Sequence, residues 1–219
     1  MLMRQAKSFR EEGTTMKEKT IKIYRFDELS REAQEKVVEN HWQDFVQYDW
    51  WQDIFEDFTI KLRKEYGFKV GNIRFSGFGS QGDGASFTGE FDDPIEASEK
   101  FLAKYTIKAE RNMLSDLINY LGIVRDTGRY VHKNTVSCVF DIKEIWGDYH
   151  EQREDAFLER RGTYGKLVKK VEAWKDNMCD ELYKELEEMY DFLTGYEHIS
   201  DYYTNCDDEE QFLEDGSDA

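Results

Sequence analysis

Residues 75–87 read Phe-Ser-Gly-Phe-Gly-Ser-Gln-Gly-Asp-Gly-Ala-Ser-Phe, and no other stretch restricts the fold as strongly. Ile73 and Phe75 before the glycines, and Ala85, Phe87 and Phe91 after them, recur at every second position. That is the spacing of a half-buried strand. The stretch therefore reads as strand, glycine-rich loop, strand. Gly77, Gly79, Gly82, Gly84 and Gly89 cost backbone entropy on folding, so either the turn needs positive φ or something approaches the backbone closely.

Helices and a second hairpin surround it. Ile21 to Phe26 reads as a short strand, and Asp27-Glu-Leu-Ser30 as the entry to a helix with Ser30 as N-cap. Ala33, Val37, Val38, Trp42, Phe45 and Val46 recur at three and four; Trp51, Ile54, Phe55, Phe58, Leu62 and Tyr66 do the same until Gly67. The phase slips at 47–50, which predicts two helices or one with a kink. Asp93-Pro94 starts a helix through Leu102, and Ala109 to Leu121 reads as another, closed by Gly122. Arg129 to Lys133, a turn at Asn134 and Thr135 to Asp141 read as the second hairpin, placing Tyr130 and His132 on one strand face. Ile145 to Gly162 has no clear period and is expected to be a mobile connector. From Lys166 to Leu193, Leu167, Val168, Val171, Trp174, Met178, Leu182, Leu186, Met189 and Leu193 stripe one long helix. The stripe widens to Cys179, Tyr183 and Tyr190, which favours a helix laid on the sheet over a two-per-heptad dimer seam. A short helix begun at Ser200 is expected within Tyr196 to Phe212.

With one proline and no Ser/Gly-rich linker, the chain reads as a single α+β domain over 21–212. Its mostly antiparallel sheet consists of two hairpins plus an N-terminal strand, packed against several helices including one long C-terminal helix. Residues 1–20, with a second plausible initiator at Met16, are expected to be a disordered lead, and 213–219 a loose acidic tail.

Asp and Glu number 47 against 30 Lys and Arg, for a net charge of −17. Binding to nucleic-acid phosphate depends on lysine and arginine displacing counterions, so direct nucleic-acid contact is not expected. Basic proteins or small molecules suit the charge better. Cys138, Cys179 and Cys206 are odd in number and widely spaced, as in a reducing cytoplasm. No apolar run approaches the ~20 residues that span a bilayer.

Gly77-Phe-Gly-Ser-Gln-Gly82 matches G-x-G-x-x-G, but a strand follows where a dinucleotide fold opens a helix, and the kinase lysine and its later motifs are missing. Asp83 stands where a phosphate-loop lysine belongs, and Phe78 where a nucleophile elbow needs glycine. What remains is a loop of backbone amides with hydroxyl, amide and carboxylate side chains, able to bind an anion or the polar edge of a base or sugar. Candidate ligand-binding residues are Ser76, Gly77, Gly79, Ser80, Gln81, Gly82, Asp83, Gly84 and Ser86, with Tyr130 and His132 from the second hairpin. The competing reading is a closed hairpin whose Asp and Ser side chains cap their own backbone. A Ser80/Asp83/His132 hydrolase lacks a defined oxyanion arrangement, so a non-enzymatic role is expected. His41 with Asp44 and Asp49, and His150 with Glu151, give no three-ligand metal spacing, and no cofactor is expected.

Ile23-Tyr-Arg-Phe-Asp-Glu-Leu-Ser30, the Trp-rich helix after it, the 75–87 motif and Tyr130-Val-His132 together resemble bacteriophage accessory proteins labelled antitoxins of toxin–antitoxin stability systems. The resemblance runs from about Ile21 over most of the chain. Where that group often carries a bulky aromatic before the serine, this chain has Gly79. The resemblance implies a viral protein acting in the host cytoplasm against a defence or toxin. Two functions follow: a sponge that sequesters a small nucleotide-like ligand through the glycine-rich loop, or an acidic antagonist that mimics nucleic acid on a host toxin or defence protein. A homodimer is expected from the prevalence of two-fold symmetry.

Overall fold

The computed structural model describes residues 20–105, 111–126, 128, 130–140, 154–206 and 210–219, with side chains of the long helix from 162 onward. The expected lead up to 19 and the connector up to 153 lie outside these residues.

The alternation around the glycines becomes β1 (Phe68–Ser76) and β2 (Gly84–Phe91), antiparallel from Phe68↔Phe91 to Ser76↔Gly84 with an irregularity between Val70 and Asn72. β3 (Leu121–Arg125) pairs with β2 through Gly89↔Ile123 and Glu90↔Gly122, and β4 (Val136–Phe140) pairs with β3, giving the order β1-β2-β3-β4. The fold is thus α+β with a four-stranded antiparallel sheet of two hairpins.

The second hairpin differs from its expected position. The partner of β4 is 121–125, not 129–133, so Gly122 lies inside a strand instead of ending a helix. Tyr130 and His132 stand outside the sheet and share no strand face. The reason is local bonding: His132 Nδ1 accepts from the Asn134 amide at 3.1 Å and Thr135 Oγ1 donates to the His132 carbonyl at 2.7 Å. These bonds close a 3-10 turn at Lys133–Thr135 just before β4.

α1 (Arg31–His41) starts where Ser30 Oγ accepts from the Ala33 amide at 3.3 Å. A 3-10 stretch, Trp42–Val46, follows α1, the phase slip at 47–50 separates it from α2 (Gln52–Tyr66), and α2 ends at Gly67 with φ +70°. α3 (Pro94–Tyr105) is capped by Asp93, whose Oδ1 accepts from the Ile95 and Glu96 amides at 2.8 and 3.0 Å. α4 (Arg111–Asn119), α5 (Glu154–Thr194) and α6 (Tyr196–Asn205) complete the described helices. None of them is long and apolar enough to cross a membrane.

Contacts divide the chain into two compact units, where a single domain over 21–212 was expected: Trp51–Glu187, and the described part of Met1–Trp50 with Glu188–Ala219. In the larger unit Trp174 of α5 is 1% exposed. Its ring centroid lies 5.3 Å from those of Tyr66 and Phe101, 5.4 Å from Phe68 and 5.6 Å from Phe91. Leu167, Val171, Leu182 and Leu186 are buried on the same stripe, so α5 lies on the sheet as core. Each such large side chain taken from water contributes about 2 kcal/mol or more, with edge-to-face ring contacts adding to that.

The smaller unit packs Phe26, Leu29, Ala33, Val37 and Phe212 together. Of the expected N-terminal strand only Tyr24 pairs, exchanging two 2.9 Å backbone hydrogen bonds with Phe212. Residues 213–219 were expected to be loose, yet they fold back on Phe212. The Leu213 amide donates to the Ser217 carbonyl at 2.7 Å, the Ala219 amide to the Gln211 carbonyl at 3.1 Å, and Lys36 Nζ to Asp215 Oδ2 at 3.1 Å. Phe212, 2% exposed, supplies the apolar anchor that the acidic composition conceals.

Candidate functional site

The glycine-rich loop is met by its own chain. A β-carbon at Gly84 would stand 2.6 Å from His132 Cβ, 2.9 Å from its Cα and 3.1 Å from the Val131 carbonyl oxygen. One at Gly82, where φ is +100°, would stand 2.9 Å from Tyr130 Cδ1. Both reasons for glycine therefore hold, positive φ at Gly82 and close approach at Gly82 and Gly84. Ser76 Oγ donates to the Val131 carbonyl at 3.3 Å and ties the segment to the end of β1. The register puts Ser76, Gly84, Arg74 and Ser86 on one sheet face, opposite Phe75, Ala85 and Phe87. Ser86 on that face is only 2% exposed, which removes it from the candidate ligand contacts.

Inside the loop, Asp83 Oδ2 accepts from the Ser80 amide at 2.7 Å, and the Asp83 amide donates to the Ser80 carbonyl at 3.1 Å. The carboxylate proposed as a ligand contact is thus occupied in closing the turn. Gly79 has φ +96° and open space around the position of a β-carbon. Phe78 stacks between Phe75 and Tyr183, at centroid distances of 5.9 and 5.5 Å and interplanar angles of 30° and 29°. Tyr183 Oη donates to the Gly77 carbonyl at 3.4 Å. Burial raises the Tyr183 phenol, and the negative charges of Glu187 and Asp83 raise it further. Neither aromatic was among the sequence candidates; the signal for Tyr183 was the widening of the α5 stripe.

α5 also holds the segment after Tyr130. Lys175, 7% exposed, donates from Nζ to the carbonyls of Lys133 and Val136 at 2.8 and 2.9 Å and lies 2.8 Å from Asp176 Oδ1. One helical turn on, Asp180 Oδ2 accepts from Lys133 Nζ at 2.7 Å, and that bond raises the Lys133 ammonium pKa. Nothing in the periodicity marks these two side chains, because their partners are main-chain atoms and a charge 47 residues away.

The result is a surface patch. Ser80 and Gln81 are exposed, the Cδ1–Cε1 side of Tyr130 rests over Gly82, and Tyr130 as a whole is 58% exposed. The structure joins Gly82, Gly84, Tyr130 and His132, keeps Ser80 and Gln81 beside them, and withdraws Asp83 and Ser86. No hydrolytic triad assembles: His132 Nδ1 is taken by the Asn134 amide, Asp83 by the Ser80 amide, and no hydrogen bond joins Ser80 to His132. The thiols of Cys138 and Cys179 are each pushed up to about 12, mainly by burial, which leaves them poor nucleophiles near neutrality. Among the described residues, no three His, Cys, Asp or Glu side chains converge as a metal site.

No curated protein and no solved structure matches the chain. The loop, Tyr130, His132 and their α5 clamp all fall within residues 42–195, and by its match over that stretch the chain belongs to the family described as "Domain of unknown function (DUF8835)".

Proposed function

We propose that this chain is a non-enzymatic binder whose loop and Tyr130–His132 segment sequester a small nucleotide-like ligand, in keeping with a counter-defence sponge of the phage type its sequence resembles. The observation that carries the reading is the apposition of Tyr130 and His132 on Gly82 and Gly84, which makes one patch of two segments distant in sequence. Tyr130 offers a half-exposed ring on which a base can stack, while Ser80, Gln81 and the open backbone at Gly79 offer hydrogen bonds to its edge or to a phosphate. The clamp from Lys175 and Asp180 holds the ring-bearing segment in place before a ligand arrives, which reduces the entropy lost on binding.

The test is calorimetric titration with ATP, cyclic AMP and cyclic dinucleotides, together with mass spectrometry of small molecules released by heating the purified protein. Saturable binding that Tyr130→Ala weakens by about 1–3 kcal/mol supports the reading. No binding to any of these probes and no released nucleotide defeats it.

A further inference from the structure

The smaller unit contains an open cleft of about 620 Å³, remote in sequence from the glycine-rich loop and lined, among the described residues, by no lysine or arginine. His41 lines it, and its Nδ1 and Nε2 lie 3.2 Å from Asp44 Oδ2 and 2.9 Å from Asp218 Oδ1. The two carboxylates sit at opposite ring nitrogens, so the three groups do not converge on one point as metal ligands would. Around them stand aromatic rings at steep angles: Phe45 meets Tyr202 at 5.1 Å and 90° and Tyr203 at 6.2 Å and 78°, and Tyr202 meets Tyr203 at 5.2 Å and 81°. Tyr48 and Tyr202 are 82% and 44% exposed. Glu210 also lines the cleft and pairs with no cationic side chain among the described residues. The Tyr203 phenol is raised by burial and then by Glu210 and Asp44, with Tyr202 and Asp218 adding to them. Aromatic faces attract organic cations through their quadrupole, and carboxylates beside them supply the counter-charge.

We propose that this cleft binds an organic cation, a guanidinium or alkylammonium group, with Glu210 as its ion-pair partner and Tyr48 and Tyr202 against its flanks. Such a group comes either from a free polyamine or from an arginine or lysine on a basic partner protein; the volume suits both. This site is independent of the nucleotide reading.

The test uses the full chain with three probes: an end-blocked peptide carrying two arginines, the same peptide with citrulline in their place, and spermidine. Titration followed by calorimetry should show saturable binding of the arginine peptide or of spermidine, at least ten times weaker binding of the citrulline peptide, and a loss of affinity of about tenfold in Glu210→Gln. Tyr48→Ser, at an exposed position, should weaken the same probe without moving the melting temperature. Preference for the peptide identifies a protein side chain as the source, and preference for spermidine a free amine. Absence of saturation with both cations, equal binding of the citrulline peptide, or full affinity in both variants overturns the proposal.

Discussion

At Gly84 a single added carbon meets backbone: the nearest atoms are His132 Cβ and Cα and the Val131 carbonyl, none of them the end of a flexible side chain. Gly84→Ala should therefore cost about 1–3 kcal/mol, as overpacking does, and lower the melting temperature. Gly82→Ala is a different experiment. Its obstacle is the ring of Tyr130, which is exposed and can swing away, while the positive φ adds strain of about 1–3 kcal/mol. The expected outcome is a moderate fall in melting temperature and a large loss of ligand binding, measured side by side. Phe87 lies on the opposite sheet face, with ring centroids 5.4 Å from Phe58, 5.5 Å from Phe68 and 6.0 Å from Trp174. Phe87→Ala leaves a cavity among rings that cannot collapse into it, and about 3–5 kcal/mol should be lost in denaturant unfolding.

At the scale of elements, the link between α5 and the 133–136 turn combines the exposed Lys133–Asp180 pair with one buried ammonium, Lys175. Lys175→Met removes the donor to two carbonyls and should cost about 2–4 kcal/mol, less whatever water restores to them. Hydrogen exchange should show amides 130–136 losing protection before the β1–β2 hairpin does. The tail has its own lever. Asp215 is held down to about 2 from an ordinary 3.8, first by the Ser217 hydroxyl, then by the Ser217 amide and Lys36. A depressed carboxyl anchors fully above its ordinary value and releases as pH falls through the folded one, so the protection of amides 213–219, taken against the unfolded-chain exchange rate at each pH, should be high at about pH 5 and fall near pH 2. These elements also mark what a sequence can disclose. The β1–β2 hairpin, Ser30, Gly67 and Asp93-Pro94 were legible because their signals are local: a period of two, a capping oxygen, a left-handed stop. The second hairpin was misplaced because Tyr130-Val-His132 alternates as a strand would, while what decides its conformation is a histidine cap two residues on and a lysine from a distant helix. The candidate site was legible in part for the same reason. Glycines announce that something is near, and only the fold shows that it is Tyr130 and His132.

At the scale of the whole molecule, the stripe of α5 from Leu167 to Leu186 is buried within one chain, so a two-fold homodimer would have to use another surface. Trp174→Glu, which would release folded monomers from a helical seam, should instead unfold the larger unit, since it places a carboxylate among the rings of Tyr66, Phe68, Phe91 and Phe101. Circular dichroism and light scattering on the same sample separate the two outcomes. The fate of a ligand tests the function more directly. A net charge of −17 opposes the approach of any anion, so a phosphate-bearing ligand held by stacking on Tyr130 must overcome a repulsion that salt screens. Raising ionic strength should then leave its affinity unchanged or strengthen it, whereas a basic partner on the acidic surface should be released. A sponge also returns what it took: with no triad joining Ser80, Asp83 and His132, the ligand freed by heat should be chemically intact and stoichiometric with the chain. Recovery of cleaved nucleotide, with cleavage stopped in His132→Ala, would show that the loop performs hydrolysis and that its geometry changes once the ligand is in place.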